Sequence, residues 1–213
     1  MSPWPPRFLG AAARILGARV TTIGTPVAPH SLLLVNHTTW LDILILAGAT
    51  GCAFVSKDEI GTAPLVGWLA DQNHTLYIRR SERRDAHAQA AAIRAALATP
   101  QPLALFPEGT TSDGTALLPF RSTLLAAVAP APDGVAVRPV AIDFGAAAHQ
   151  LSWTGEPAKT NVLRILGRQG TFRVIVHLLG PIAPGTDRKA MAHTARHAIV
   201  AALAASNPPR PTL

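Results

Sequence analysis

The heptapeptide Asn36-His37-Thr38-Thr39-Trp40-Leu41-Asp42 places a carboxylate five residues after a histidine, and it is the segment best suited to proton chemistry. Imidazole titrates near neutral pH and can take the proton of an attacking hydroxyl. A carboxylate at this distance, across a strand-to-helix turn, can reach back to one ring nitrogen. It would fix the tautomer and stabilise the imidazolium that forms. This is the histidine–aspartate half of a triad, with the nucleophilic hydroxyl left for a substrate to bring. Taken alone, the spacing fits a capped turn better than a catalyst, with His37 on a backbone group and Asp42 in a first helical turn.

A second cluster, Phe106-Pro107-Glu108-Gly109-Thr110-Thr111-Ser112, ends an apolar strand in a carboxylate, a glycine and three hydroxyls. Glycine there lets the backbone approach a ligand closely. The competing reading is a turn with Glu108 in solvent, which the apolar strand leading directly into it argues against. A third cluster, Tyr77-Ile78-Arg79-Arg80, offers guanidinium groups at a strand end, able to hold phosphate or carboxylate in two-pronged fashion. Arg83 and Arg84 beyond it read better as the solvated opening of a helix.

The order of these clusters, completed by Val137-Arg138-Pro139-Val140, resembles the four sequence blocks of the glycerolipid (lysophospholipid) acyltransferase family. Lys57, Glu59, Pro64 and Gly67 are similar to that family's segment between its first and second blocks. The resemblance spans roughly residues 32–142, and each short motif gains specificity from its order among the others. It implies that His37 is the general base and Asp42 its orienting partner. It implies further that Lys57, Arg79, Arg80, Glu108, Gly109, Thr110 and Thr111 form the acceptor side, with Arg80 aligned to the motif arginine, and that Pro139 belongs to the acyl-donor side.

Many members of the family carry arginine where this chain has Thr111. The Phe-Pro-Glu-Gly-Thr-Thr-Ser form, with Trp153-Thr154-Gly155, is similar to bacterial relatives that acylate lyso-ornithine lipid. The expected activity is transfer of an acyl group from acyl-carrier protein or coenzyme A to a lysolipid hydroxyl, 1-acyl-glycerol-3-phosphate giving phosphatidic acid. The alternative acceptor is lyso-ornithine lipid. No acyl-enzyme, cofactor or metal is required, and the histidines lack zinc-ligand spacing. A non-catalytic lipid-binding protein of the same fold is a rival that retention of His37 and Asp42 disfavours. A hydrolase would need a G-x-S-x-G elbow, which is missing.

Positioning these groups requires alternating strands and helices. Strands are predicted at 32–35, 52–56, 75–79, 103–106, 135–144 and 172–179. Helices are predicted at 42–49, 82–98 (capped by Ser81), 120–129 and 187–204, from their spacing and flanking breakers. That alternation, with polar clusters just after strands, predicts a single α/β domain. Its central sheet should be mostly parallel or mixed, flanked by helices, with the site at the strands' carboxyl ends.

The segment 4–20 mixes Trp4, Phe8, Leu9, Ile15 and Leu16 with Arg7, Arg14 and Arg19, which suits an amphipathic helix, on an anionic membrane or on the domain. The expected organisation is therefore a membrane-surface helix and lead-in over 1–30, the acyltransferase domain over 31–205 and a frayed proline-rich tail over 206–213.

Composition agrees with an attachment to lipid. The chain has 213 residues and a net charge of +7, with 48% hydrophobic, 15% charged and 5% aromatic residues. Cationic charge together with a mean hydropathy of +0.25 favours an anionic membrane surface over nucleic acid, for which no basic helix or aromatic-interleaved sheet motif is present. No run approaches the ~18–20 apolar residues that cross a bilayer. The expected location is the cytoplasmic face of a bacterial inner membrane, held peripherally. The single Cys52 lies in an apolar run and reads as a buried small hydrophobe.

Overall fold

The hydrophobic strand runs assemble into one seven-stranded sheet in the computed structural model, which describes residues 4–57, 73–78, 86–126, 128–183, 185 and 187–206. Its strands are β1 (Ala18–Gly24), β2 (Ser31–Val35), β3 (Ala53–Lys57), β4 (Leu76–Ile78), β5 (Leu103–Leu105), β6 (Ala136–Asp143) and β7 (Phe172–Leu178). They lie in the order β1-β7-β6-β2-β5-β3-β4. Every neighbouring pair is parallel except β6 with β7, so the expected α/β architecture with a mixed, mostly parallel sheet is the one observed.

β2 is buried along its whole length because both sheet faces are covered, and strands so placed read as unbroken apolar runs. Its side chains alternate between two cores. Leu33 and Val35 face the helices α1 (Trp4–Ile15), α2 (Leu41–Thr50), α4 (Ala148–Leu151) and α5 (Ala158–Leu166). Leu32 and Leu34 face α3 (Ala86–Leu97) and α6 (Arg188–Ser206). On the first face α1 crosses α2 at two glycines. A Cβ added to Gly48 would stand 2.6 Å from the Gly10 Cα, so any larger residue there would push the helices apart. That contact fixes α2, and α2 carries Asp42 in its first turn.

The structure moves several expected elements. The N-terminal helix stops at Ile15, and Ala18–Gly24 forms edge strand β1, paired with β7 from Ala18↔Phe172 to Gly24↔Leu178. Only Ala18 of β1 is buried, so the strand lacks the apolar alternation that announces a core strand. Its signal is the β-branched run Val20, Thr21, Thr22, Ile23. The helix expected at 120–129 is reduced to a 3₁₀ turn, Ser122–Leu125. Arg121 is held extended with its N–H on the Pro107 carbonyl at 2.8 Å, which prevents the helix from starting earlier. Helix α5 was not expected at all, since it presents leucines to the outside rather than a simple apolar stripe. The start expected for the 82–98 helix, with its Ser81 cap and with Arg83 and Arg84, lies outside the described residues, which show that helix over Ala86–Leu97. The remaining boundaries differ by a residue or two, the usual uncertainty of element ends.

Candidate active site

β2 and β5 are parallel neighbours at the centre of the sheet, and the loops leaving their carboxyl ends carry His37 and Glu108 side by side. Such ends are where ligand sites gather in open α/β sheets. Asn36 anchors the first loop. Its side-chain amide donates to the Ile142 carbonyl at 3.0 Å and its oxygen accepts the Ile142 N–H at 2.8 Å, extending the β2–β6 pairing beyond Val35.

The histidine and aspartate meet as expected. His37 Nδ1 lies 2.8 Å from Asp42 Oδ2. The same oxygen accepts the N–H groups of Thr38 at 2.7 Å and Thr39 at 3.0 Å, so the carboxylate is held before the ring reaches it. Asp42 is completely buried, and the His37 side chain retains 18% exposure. The imidazole stacks on the Phe106 ring at 4.1 Å and 17°. With Nδ1–H directed at a carboxylate, Nε2 is the atom left to accept a proton from outside.

Glu108, expected on the acceptor side, is engaged by the protein's own backbone. It is 1% exposed, and both oxygens are occupied by backbone N–H groups: Oε1 accepts from His37 at 2.6 Å and Oε2 from Leu118 at 2.8 Å. Burial pushes its pKa up to about 7, although those two amides and the His37 charge pull the other way. Gly109 follows in a left-handed conformation, φ 75°, which a side chain would strain. Thr110 is exposed beside it. Thr111 is turned inward, its hydroxyl donating to the Trp153 carbonyl.

Trp153 ties the two loops together, since its own N–H donates to the Thr38 carbonyl at 3.0 Å. A second tie runs from the Ser112 N–H to the His37 carbonyl at 2.7 Å. Trp40 Nε1 donates to Asn161 Oδ1 of α5 at 3.0 Å, and buried Asn161 donates in turn to Ser152 O and Glu156 Oε1. Asn161 and Trp153 are therefore structural parts of the site that spacing alone does not disclose. Arg196 of α6 is another: it binds the Leu117 carbonyl at 2.7 Å and the Leu118 carbonyl at 3.2 Å, steadying the segment that meets Glu108.

Lys57 is the last residue of β3, the strand beside β5, and so belongs to the same sheet edge. Arg79 and Arg80 follow β4 directly in the chain and lie outside the described residues, as do Glu59, Pro64 and Gly67. Pro139 is buried in the middle of β6, opposite Leu34 of β2. Its neighbour Arg138 is 4% exposed and donates to the carbonyls of Thr25, Pro26, Leu178 and Leu179, a clamp across the β6–β7 side of the sheet. Cys52 is fully buried and burial pushes its thiol up to about 12, so it is no nucleophile.

Known proteins with the same pattern extend this geometry. A family model described as Acyltransferase matches residues 19–143. The lyso-ornithine lipid O-acyltransferase of Rhodobacter capsulatus is 34% identical over 92% of this chain and 76% of its own length. The Pseudomonas aeruginosa protein of the same name is 36% identical over 96% of this chain and 80% of its own. A 1-acyl-sn-glycerol-3-phosphate acyltransferase of Neisseria meningitidis is 30% identical over 85% and 74%. The crystal structure of the 1-acyl-sn-glycerophosphate acyltransferase PlsC from Thermotoga maritima superposes with a TM-score of 0.72 at 20% identity, covering 98% of this chain and 80% of that one. A family match over more than half of the residues, and relatives sharing about a third of their identities along most of the chain, make this protein a member of the acyltransferase family.

Proposed function

We propose that this enzyme transfers a fatty acyl group from a thioester donor, acyl-carrier protein or coenzyme A, to the hydroxyl of lyso-ornithine lipid. The observation that carries the chemistry is the 2.8 Å contact between His37 Nδ1 and Asp42 Oδ2, which leaves Nε2 as the base. Nε2 takes the acceptor's hydroxyl proton as its oxygen attacks the thioester carbonyl. The carbon–sulfur bond then breaks, and the leaving thiolate recovers a proton from the imidazolium. Asp42 keeps the ring in the required tautomer and offsets its positive charge. Proton transfer of this kind contributes ~10²- to 10⁴-fold, the rest coming from alignment and charge stabilisation.

The ornithine headgroup is supported by the relatives of R. capsulatus and P. aeruginosa, and by Thr111, whose hydroxyl is engaged with Trp153 rather than presented to a phosphate. A second reading, 1-acyl-glycerol-3-phosphate as acceptor, draws on the N. meningitidis relative and on the fold of PlsC.

The site is proposed to work at the surface of an anionic membrane, on its cytoplasmic face, with α1 as the attachment and residues 31–205 as the catalytic domain. Among the described residues no helix is long and apolar enough to cross a bilayer. Helix α1 exposes Trp4, Phe8 and Ile15 beside Arg7 and Arg14, and α5 in the same layer exposes Leu163 and Leu166. Apolar tips among cations suit an interfacial helix.

Purified protein incubated with radiolabelled acyl donors and paired acceptors, lyso-ornithine lipid and lysophosphatidic acid, tests the proposal. Transfer to the ornithine acceptor is expected to be the faster. Faster transfer to lysophosphatidic acid would establish the second reading, and transfer to neither would overturn both.

A further inference from the structure

Resting on the lysolipid reading, we infer that Arg121 receives the acceptor's anionic headgroup at the edge of the Pro-Glu-Gly loop. Gly109 lies under its side chain: a Cβ built there would stand 3.3 Å from Arg121 Cδ and 3.4 Å from Nε. The stem of the arginine therefore crosses the loop at the residue next to Glu108, whose carboxylate holds the His37 N–H. Gly109 has no side chain to contest that path, and Leu124 Cδ1 lies 3.5 Å from the same point. The Arg121 backbone is fixed independently by its N–H bond to the Pro107 carbonyl at 2.8 Å.

The guanidinium itself is exposed, and no described residue offers it a hydrogen bond or a carboxylate. Two other described arginines are differently employed. Arg196 is spent on the carbonyls of Leu117 and Leu118, and Arg138 on those of Thr25, Pro26, Leu178 and Leu179. Both oxygens of Glu108 are held by amides, so among the described residues Arg121 keeps an unneutralised fork beside the Pro-Glu-Gly loop. A planar fork of this kind matches a carboxylate or a phosphate through paired hydrogen bonds. An acceptor whose hydroxyl lies on His37 Nε2 carries one such group within reach: the carboxylate of an ornithine headgroup or the phosphate of a lysophosphatidate. Arg121 thereby supplies a cation to a loop whose own residue 111 is an uncharged threonine.

The test compares wild type, Arg121→Gln and Arg121→Lys with lyso-ornithine lipid, lysophosphatidic acid and a neutral monoacylglycerol. Losing a charge-assisted contact should raise the acceptor KM ~10- to 100-fold for the headgroup that Arg121 holds, more than it lowers kcat. The preference for anionic over neutral acceptor should collapse in Arg121→Gln and partly return in Arg121→Lys. The two anionic arms identify which headgroup is held. An acceptor KM within twofold of wild type, or a rise confined to the donor KM, would overturn the inference. Calorimetric binding of short-chain acceptors separates the two levels. Equal binding by wild type and Arg121→Gln sinks the role of Arg121, whereas a wild type that acylates no lysolipid sinks the lysolipid reading. Far-ultraviolet circular dichroism confirms that each variant is folded.

Discussion

In the loop after β2, Asp42 is met by the amides of Thr38 and Thr39 and by the His37 ring, all within five residues of chain. In the loop after β5, Glu108 reaches across 71 residues to His37 and across 10 to Leu118, while Thr111 reaches across 42 to Trp153. The two loops leave the carboxyl ends of adjacent parallel strands at the centre of the sheet, yet the first joins its catalytic pair locally and the carboxylate of the second takes its partners from afar. The first closes its own side-chain contacts locally, through Asp42. The second holds the first in place, because its carboxylate and its Ser112 amide grip the backbone of His37. Damage to the first loop should therefore remove turnover and spare the fold, and damage to the second should weaken the fold first.

The most severe test of that division is His37→Ala. Turnover should fall about 10⁴-fold, the scale expected when the base of such a pair is removed. The melting temperature should hold within a few degrees, because the Asp42 contacts to Thr38 and Thr39 survive. Residual transfer above a few per cent in a labelled-acyl assay would remove His37 as the base. Asp42→Asn comes next, at roughly 10³-fold in kcat, through a misassigned ring tautomer. The asparagine oxygen can still accept both threonine amides. A variant that unfolds instead of losing rate would show that the first loop does more than join the catalytic pair.

Glu108→Gln probes the second loop. A carboxamide offers one acceptor oxygen to two amides, so one buried N–H faces another donor, at a cost of about 1–3 kcal/mol. The penalty depends on pH. Native Glu108 titrates at about 7, above the ordinary 4.5, so between those values the folded protein binds a proton that the unfolded chain has released. Wild-type stability from this group is full below 4.5 and declines as pH rises towards 7, by up to about 3 kcal/mol. Urea denaturation should accordingly find the variant's deficit larger at pH 5 than at pH 8. A deficit independent of pH would mean that Glu108 is not the group whose ionisation is opposed by burial.

The same contrast explains what the sequence discloses. His37 and Asp42 are legible because their relation is local: five residues across one turn fix both partners. The strand runs at β2, β5 and β6 are legible because two covered faces demand continuous apolar residues. Glu108 is visible as a residue type but not as a ligand of backbone amides, since nothing in Phe-Pro-Glu-Gly names His37 or Leu118. Arg138 looks like part of a chemical block and is a clamp on four carbonyls, a role set by strands that pair only after folding. Edge strand β1 hides for the opposite reason: six of its seven residues face solvent, so burial imposes no pattern on them. Asn161 escapes notice, and Trp153 shows only through the resemblance and not through its role, because their partners, Trp40, Thr38 and Thr111, are distant in sequence.

The gentlest perturbation of the second loop is Thr111→Val, which keeps volume and removes one hydroxyl. The Trp153 carbonyl loses its donor, while the Trp153 N–H keeps its bond to Thr38. A single hydrogen bond at a half-buried position is worth about 1 kcal/mol, so the melting temperature should drop by ~2–4 °C. Turnover should change less than threefold if Thr111 only ties Trp153 to the loop. Should Thr111→Val instead raise the acceptor KM tenfold with an unchanged melting temperature, the hydroxyl would be touching substrate. The second loop would then share in recognition as well as support, and the line between the two loops would have to be drawn inside it, between Glu108 and Thr111.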